Sequence, residues 1–191
     1  MTDKEIIEIY KKHDALLKGH FLLSSGLHSD MYLQSALVMQ YPIIAESIIS
    51  ELVKKVYHMN FTTVVSPAIG GIRFGYELAR LLKKRSVFTE RTDGEMSFRR
   101  GFSLQEGETV LLAEDVVTTG KSTKECMKVV EDTGAKVIGV TSLIDRSGGG
   151  VDFGVPFIPL IAVEVNTYKP EKCPLCKEGL PLTKPGSREV V

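Results

Sequence analysis

The chain has 191 residues, enough for one domain with a substantial core, and its 24 basic residues balance 24 acidic ones. That balance gives no global field to recruit nucleic acid or an anionic membrane, so neither partner is expected. No stretch approaches the ~18 apolar residues of a membrane span. The opening MTDKEIIEIYKKHD is charged from its third residue, and three cysteines make no disulfide framework. A soluble, cytoplasmic protein is the expectation.

Taken in chain order, residues 3–17 place Ile6, Ile7, Ile9, Tyr10, Leu16 and Leu17 at loosely helical spacing and predict a first helix. Residues 19–26 read as a short strand running into a turn. Tyr41-Pro42 opens a second helix, whose apolar stripe is Ile43, Ile44, Ile48, Ile49, Leu52, Val53 and Val56. A strand over 62–66, a helix over 71–84 and a strand over 86–89 follow. Residues 90–107 are polar, glycine-punctuated and without clear period. Beyond them come an apolar strand from Val110, a helix over 121–133 stopped by Gly134, and a strand over 136–144. Alternating strands and helices from 62 to 144 imply βαβ crossovers and a parallel sheet. A last strand is expected over 158–165, and the Pro- and Gly-rich tail from Lys169 reads as an extended cap or a partly disordered segment.

The most informative stretch is VLLAEDVVTTGKS, residues 110–122. Four apolar residues in a row fit a parallel strand covered on both faces. Glu114 and Asp115 fall where the strand ends, and Thr118, Thr119, Gly120 and Ser122 form the turn into a helix. The start of a helix leaves backbone N–H groups unpaired and carries partial positive charge, so this turn suits a phosphate. The carboxylates upstream suit sugar hydroxyls. Together they describe a ribose 5-phosphate site. A Walker A loop is excluded, because it needs a glycine five residues before Gly120 and position 115 is Asp. An ordinary strand–turn–helix is the bland alternative.

Ligands in open α/β sheets sit beyond the carboxyl ends of the strands, so three more loops matter. Ser66-Pro-Ala-Ile-Gly-Gly71 lets backbone approach an anion at Gly70 and Gly71; a tight βα turn is its plain reading. Residues 90–101 form a long glycine-bearing loop of the kind that often acts as a lid. Its Arg91, Arg99 and Arg100 suit a leaving diphosphate, or else are solvated surface. Arg146, in Leu143-Ile-Asp-Arg-Ser-Gly-Gly-Gly150, is placed for an anionic or carbonyl-rich substrate, or for pairing with Asp145 or Asp152. Cys173-Pro-Leu-Cys176 is half a zinc site with no evident second half, more simply a tail turn unless a dimer completes it. His13, His20, His28 and His58 show no metal-ligand spacing with one another and read as surface or core. Cys126 reads as core.

Residues 110–122 resemble the PRPP-binding signature of type I phosphoribosyltransferases: an apolar strand, two acids, small residues, then Thr-Gly-Gly-Ser/Thr. Lys121 stands where the second glycine is usual. Residues 19–32 resemble the hood motif G-x-F-x-L-x-S-G-x-x-S-x-x-Y/F of the orotate phosphoribosyltransferases, and Asp145-Arg-Ser-Gly-Gly resembles their Asp-Arg loop. The resemblance runs from about residue 15 to 166. The Arg-Arg-Gly-Phe loop and the Cys-Pro-Leu-Cys tail resemble one bacterial and archaeal branch.

What the resemblance implies is an α/β type I phosphoribosyltransferase fold, a central mostly parallel sheet flanked by helices. It implies a single domain with a core over about 42–166 and a small hood from about 1–41 plus the tail 167–191. The implied activity is a pentosyl transfer of de novo pyrimidine biosynthesis. Ribose 5-phosphate passes from PRPP to N1 of orotate, giving orotidine 5′-monophosphate and diphosphate, with Mg²⁺ carried by PRPP and no direct protein ligand. Glu114 and Asp115 would hold the ribose hydroxyls. Val116, Val117, Thr118, Thr119, Gly120, Lys121 and Ser122 would hold the 5′-phosphate, and Gly70, Gly71 and Arg91 the diphosphate end. Thr118, Arg146, Phe21, Ser24 and Tyr32 would contact orotate. Asp115, Arg99 and Arg100 would be catalytic, the loop 90–101 reaching the neighbouring site of a homodimer. Well-known members carry lysines where this chain has Ser24 and Gly70, and Lys and His in the mobile loop, which here has neither. The catalytic cation is then an arginine of that loop or a lysine such as Lys121. Two rivals are a phosphoribosyltransferase for another base, which the hood motif disfavours, and a PRPP-sensing regulator of nucleic acid, for which the chain lacks a basic stripe.

Overall fold

The computed structural model describes residues 1–23 and 26–184. Two compact units divide them. The larger spans Met39–Val163 with Met1; the smaller joins Thr2–Val38 to the segment from Glu164.

The larger unit is a six-stranded sheet: β3 (Thr63–Pro67), β4 (Arg85–Thr92), β5 (Glu95–Phe98), β6 (Thr109–Val117), β7 (Lys136–Asp145) and β8 (Phe157–Ala162). Its order is β5-β4-β3-β6-β7-β8, parallel throughout except for the antiparallel edge strand β5. Helix α3 (Pro42–Val56) leads into β3, and helices α4 (Gly70–Leu82) and α5 (Lys121–Glu131) supply the β3–β4 and β6–β7 crossovers. Pro42 begins α3, where its missing N–H costs nothing. The run Val110, Leu111, Leu112, Ala113 is fully buried because both faces are covered. Val110 and Leu112 join Val65, Val87, Cys126, Val130 and Val140 in one cluster around α5. Each such side chain taken from water contributes ~1.5–3 kcal/mol.

The chain runs from β3 to β4 on one side, then returns to place β6 on the other side of β3. Strands β3 and β6 are therefore the topological switch point, where the loops leaving adjacent strands diverge and open a crevice. The loop after β3 and the turn after β6 are the two stretches with phosphate-binding character.

The smaller unit holds α1 (Asp3–Lys12) and an antiparallel sheet of β1 (Leu16–Leu22), β2 (His28–Leu33) and β9 (Thr167–Tyr168), ordered β1-β2-β9. A single-turn α2 (Ala36–Met39) follows β2, and a 3₁₀ turn over Pro170–Lys172 leads into the short α6 (Pro174–Lys177). Thr2 and Glu5 cap α1 reciprocally.

Three expectations change. The first helix stops at Lys12 instead of continuing to 17, because Asp14 turns left-handed at φ 53° and the chain enters β1 at Leu16. The stretch 90–98 is a β-hairpin, with Asp93 (φ 52°) and Gly94 (φ 89°) as its two-residue turn. Asp-Gly is the pair this turn favours, since both central residues need positive φ. From Lys169 to Lys184 the tail forms a 3₁₀ turn and a helical turn in place of an extended cap.

Candidate active site

Strand β6 carries Glu114 and Asp115 to the carboxyl edge of the sheet at the switch point. Glu114 is 8% exposed and Asp115 half-buried. Burial pushes the Glu114 carboxyl well above its usual range, and the neighbouring Asp115 charge adds to the effect. Burial likewise raises Asp115. The Thr123 hydroxyl, one turn into α5, lies 3.4 Å from Glu114 Oε2. Two neighbouring carboxyls in so buried a place disfavour each other's ionisation, and a cationic or hydrogen-bond-donating ligand would relieve that cost.

The turn from 118 to 120 exposes Thr118 and Thr119 and buries Gly120. Gly120 is the residue before α5, at φ 70°, and a Cβ there would meet Val151 Cγ1 at 2.7 Å and Phe153 at 3.0 Å. Glycine is required on both counts. No side chain caps α5, so its first backbone N–H groups stay open to an anion. Lys121, the departure from the family signature, is the first residue of the helix itself. The left-handed position is Gly120, one residue earlier, so Lys121 is accommodated without strain.

The loop after β3 lies against this pair. A Cβ on Gly70 would fall 2.5 Å from Asp115 Oδ2, and one on Gly71 3.0 Å from the Ala113 carbonyl. The Ala68–Ile69 peptide is cis, and α4 begins at Gly70 with no side-chain cap. Arg146 is tied to the same edge: its backbone N–H donates to the Val117 carbonyl at 2.8 Å. The carboxylates of Asp145 and Asp152 accept from the Ser147 and Gly154 amides, at 2.7 and 2.8 Å, and so fix their own loops.

The hairpin arginines each hold a partner in their own unit. Arg91 pairs with Glu125 of α5 and donates to the Gly94 carbonyl at 2.9 Å. Arg99 reaches Thr92 at 2.8 Å, and Arg100 grips Glu90 at 2.7 and 3.1 Å. The Arg100 guanidinium holds Glu90 below the usual carboxylate range. Sequence reading missed Glu90, Glu125 and Thr123, since nothing local marks an acid or hydroxyl whose partner lies on another element. Cys126 is core, its thiol pushed up to about 12 by burial.

In the smaller unit the Phe21 and Tyr32 rings pack 5.9 Å apart across β1 and β2. Ser24 lies outside the described residues. His20 and His28, read as surface or core, are both buried, and they stand beside Cys173 and Cys176, where the sequence shows no spacing that would join them.

The phosphoribosyl transferase domain family model matches residues 38–152. The orotate phosphoribosyltransferase of Caldanaerobacter subterraneus subsp. tengcongensis is 50% identical over 190 residues, covering 100% of both chains. That of Carboxydothermus hydrogenoformans is 51% identical over 187 residues, 97% of this chain and 98% of its own. The crystal structure of orotate phosphoribosyltransferase from Aeropyrum pernix superimposes with a TM-score of 0.71 at 24% identity, over 83% of this chain and 93% of that one, and so shares the fold. An acid pair at the switch point, an uncapped helix start beside it and half of all residues shared along whole relatives have one meaning: the chain belongs to the orotate phosphoribosyltransferase family, on the type I phosphoribosyltransferase fold.

Proposed function

We infer that this chain transfers ribose 5-phosphate from PRPP to N1 of orotate, releasing diphosphate and orotidine 5′-monophosphate for pyrimidine synthesis. The observation that carries the reading is the acid pair at the end of β6, set against the uncapped start of α5 at the switch point. The 5′-phosphate lies on the amides of 118–122, with Val116 and Val117 leading into them. The ribose hydroxyls donate to Glu114 and Asp115. The diphosphate faces Gly70 and Gly71, where the missing Cβ leaves room beside Asp115.

Breaking the C1–diphosphate bond builds positive charge on the ribose and negative charge on the leaving group. Ionised Asp115 under the ring stabilises the first; arginine stabilises the second. For Arg91, Arg99 and Arg100 this requires exchanging Glu125, Thr92 and Glu90 for the diphosphate, a swap of one anionic or polar partner for another. Loop 90–101 does this for the neighbouring site of a homodimer. Thr118 and Arg146 meet orotate's carbonyls and carboxylate, and orotate N1–H is acidic enough to need no strong base. For Phe21, Ser24 and Tyr32 as orotate contacts the support is the family resemblance.

The carboxylates at the end of β6 lie beside an open glycine edge, an anionic setting that suits Mg²⁺ brought in on PRPP's own oxygens without binding the ion directly. That ion supplies charge neutralisation of the diphosphate, with PRPP as its carrier and no direct protein ligand. Among the described residues no helix is long and apolar enough to cross a membrane, and we place the enzyme in the cytoplasm with its small-molecule substrates.

The test is a panel of bases. Purified protein with PRPP and Mg²⁺ is offered orotate, uracil, adenine and hypoxanthine, and nucleotide products are separated by chromatography. Orotidine 5′-monophosphate as the dominant product supports the reading. Turnover of another base in preference overturns it.

A further inference from the structure

We propose that His20 Nε2, His28 Nδ1, Cys173 Sγ and Cys176 Sγ form a structural Zn²⁺ site that fastens the C-terminal segment to the β1–β2 hairpin.

The four atoms lie within 4.8 Å of one another. His20 Nε2 stands 2.9 Å from His28 Nδ1, 3.6 Å from Cys173 Sγ and 3.7 Å from Cys176 Sγ, and Cys176 Sγ is 3.3 Å from His28 Nδ1. Zinc bonds of ~2.0–2.1 Å to nitrogen and ~2.3 Å to sulfur give tetrahedron edges of roughly 3.4–3.8 Å. Four of the six separations, at 2.9, 3.3, 3.6 and 3.7 Å, lie within about half an ångström of those edges, and none exceeds 4.8 Å. A tetrahedral pair of sulfurs and pair of nitrogens is a zinc donor set, too soft for Mg²⁺.

The backbone brings these atoms together by recognisable devices. His28 pairs with Leu22 across the hairpin, so His20, two residues before Leu22, shares its face. The β1–β2 register shifts between Lys18 and Phe21, an irregularity that re-aims side chains where His20 stands. Strand β9 pairs Tyr168 with His28, which delivers the following Cys-x₂-Cys turn over the histidines. Cys173 immediately precedes α6 and Cys176 lies within it, three residues on and therefore on the same side.

A further feature belongs to metal sites. His20 Nδ1 lies 2.8 Å from the Leu180 carbonyl, which accepts only if Nδ1 carries the proton. That tautomer leaves Nε2 with its lone pair aimed into the cluster, and a ligating histidine usually donates its other N–H in this way. Both histidines and Cys173 are buried, at 4%, 5% and 1% exposure. Such a clasp suits a small unit whose apolar core is limited to side chains such as Ile6, Tyr10, Leu16, Phe21 and Leu33. After the clasp the chain runs back along β1, with Leu22 N–H donating to Thr183 and Thr183 N–H to His20.

The test uses the full chain, expressed with zinc in the medium and purified under reductant without chelator. Elemental analysis is expected to find about one zinc per chain. Stripping it at denaturant-free pH with a strong chelator is expected to lower the melting temperature by several degrees, and Zn²⁺ to restore it. Co²⁺ added to stripped protein is expected to give the intense visible bands of a tetrahedral site and a thiolate-to-cobalt charge-transfer band. Cys176→Ser loses the charge-transfer intensity in part, whereas Cys126→Ser, which alters a core thiol, keeps it. Should Cys176→Ser not fold, the wild-type cobalt spectrum decides alone. Stripped but folded wild-type protein that gives no thiolate–cobalt band and takes up no zinc overturns the site, as does a Cys173–Cys176 disulfide in the reduced preparation.

Discussion

Gly70 and Asp115 sit so close that a single methyl on Gly70 would lie 2.5 Å from the Asp115 carboxylate. Two strand-end loops, far apart in sequence, thus share one small space, and glycine leaves it open. Gly70→Ala is expected to displace the carboxylate and cut kcat/KM roughly 100-fold, since a displacement of about 1 Å at a reacting centre has that cost. Stability should change little, since the added methyl sits at an exposed position. Steady-state kinetics beside a thermal melt measures both, and unaltered kinetics would contradict the placement.

Asp115→Asn keeps the shape and removes the charge. If ionised Asp115 stabilises the developing ribose cation, turnover should fall by roughly 100-fold or more while PRPP binding weakens less. Isothermal titration with PRPP, run beside the rate measurement, separates the two effects. Full activity would remove Asp115 from the chemistry.

Glu114 gives a prediction in pH. Its folded-state pKa is raised by burial above the ordinary 4.5, so the folded chain holds a proton there that the unfolded chain gives up. Stability from this group is complete below pH 4.5 and is lost as pH rises through the folded-state value. Glu114→Gln removes the loss. The variant should be the more stable by about 1 kcal/mol at neutral pH, with the advantage vanishing in acid, and it should be less active. Melts from pH 4 to 8 would show it; parallel curves for both proteins would refute it.

The arginine assignment is tested by mixing. Asp115→Asn and Arg100→Ala are each expected to be poorly active alone. If loop 90–101 serves the neighbour's site, co-refolded mixed dimers regain one intact site, roughly a quarter of wild-type activity overall. No recovery in a verified mixed dimer would place the arginines in their own chain's site.

The residues from Val110 to Ser122 announced their structure because every cue there is local: an unbroken apolar run, adjacent acids, then small turn residues. Gly120 could be read as a turn residue, but not that Val151 and Phe153 press on it. The β4–β5 hairpin was hidden because Glu90-Arg91-Thr92 at the end of β4 is polar throughout and the alternation of β5, Glu95-Met96-Ser97-Phe98, lasts only four residues; Asp93-Gly94 marked the turn. The first helix was overextended because Leu16 and Leu17 fit a helical stripe as well as a strand, and Asp14 decides between them. The histidine–cysteine cluster was illegible for a different reason. Its histidines and cysteines lie up to 156 residues apart, and their meeting depends on a strand irregularity and on β9 pairing beside β2. Cys-x₂-Cys shows in sequence; the fold supplies its complement.

The most direct test of the catalytic account is the rate of orotidine 5′-monophosphate formation from PRPP and orotate, followed by loss of orotate's ultraviolet absorbance with and without Mg²⁺. The account predicts rapid, Mg²⁺-dependent conversion with one diphosphate released for each nucleotide formed. A folded protein that leaves orotate untouched at saturating PRPP and Mg²⁺ would contradict it.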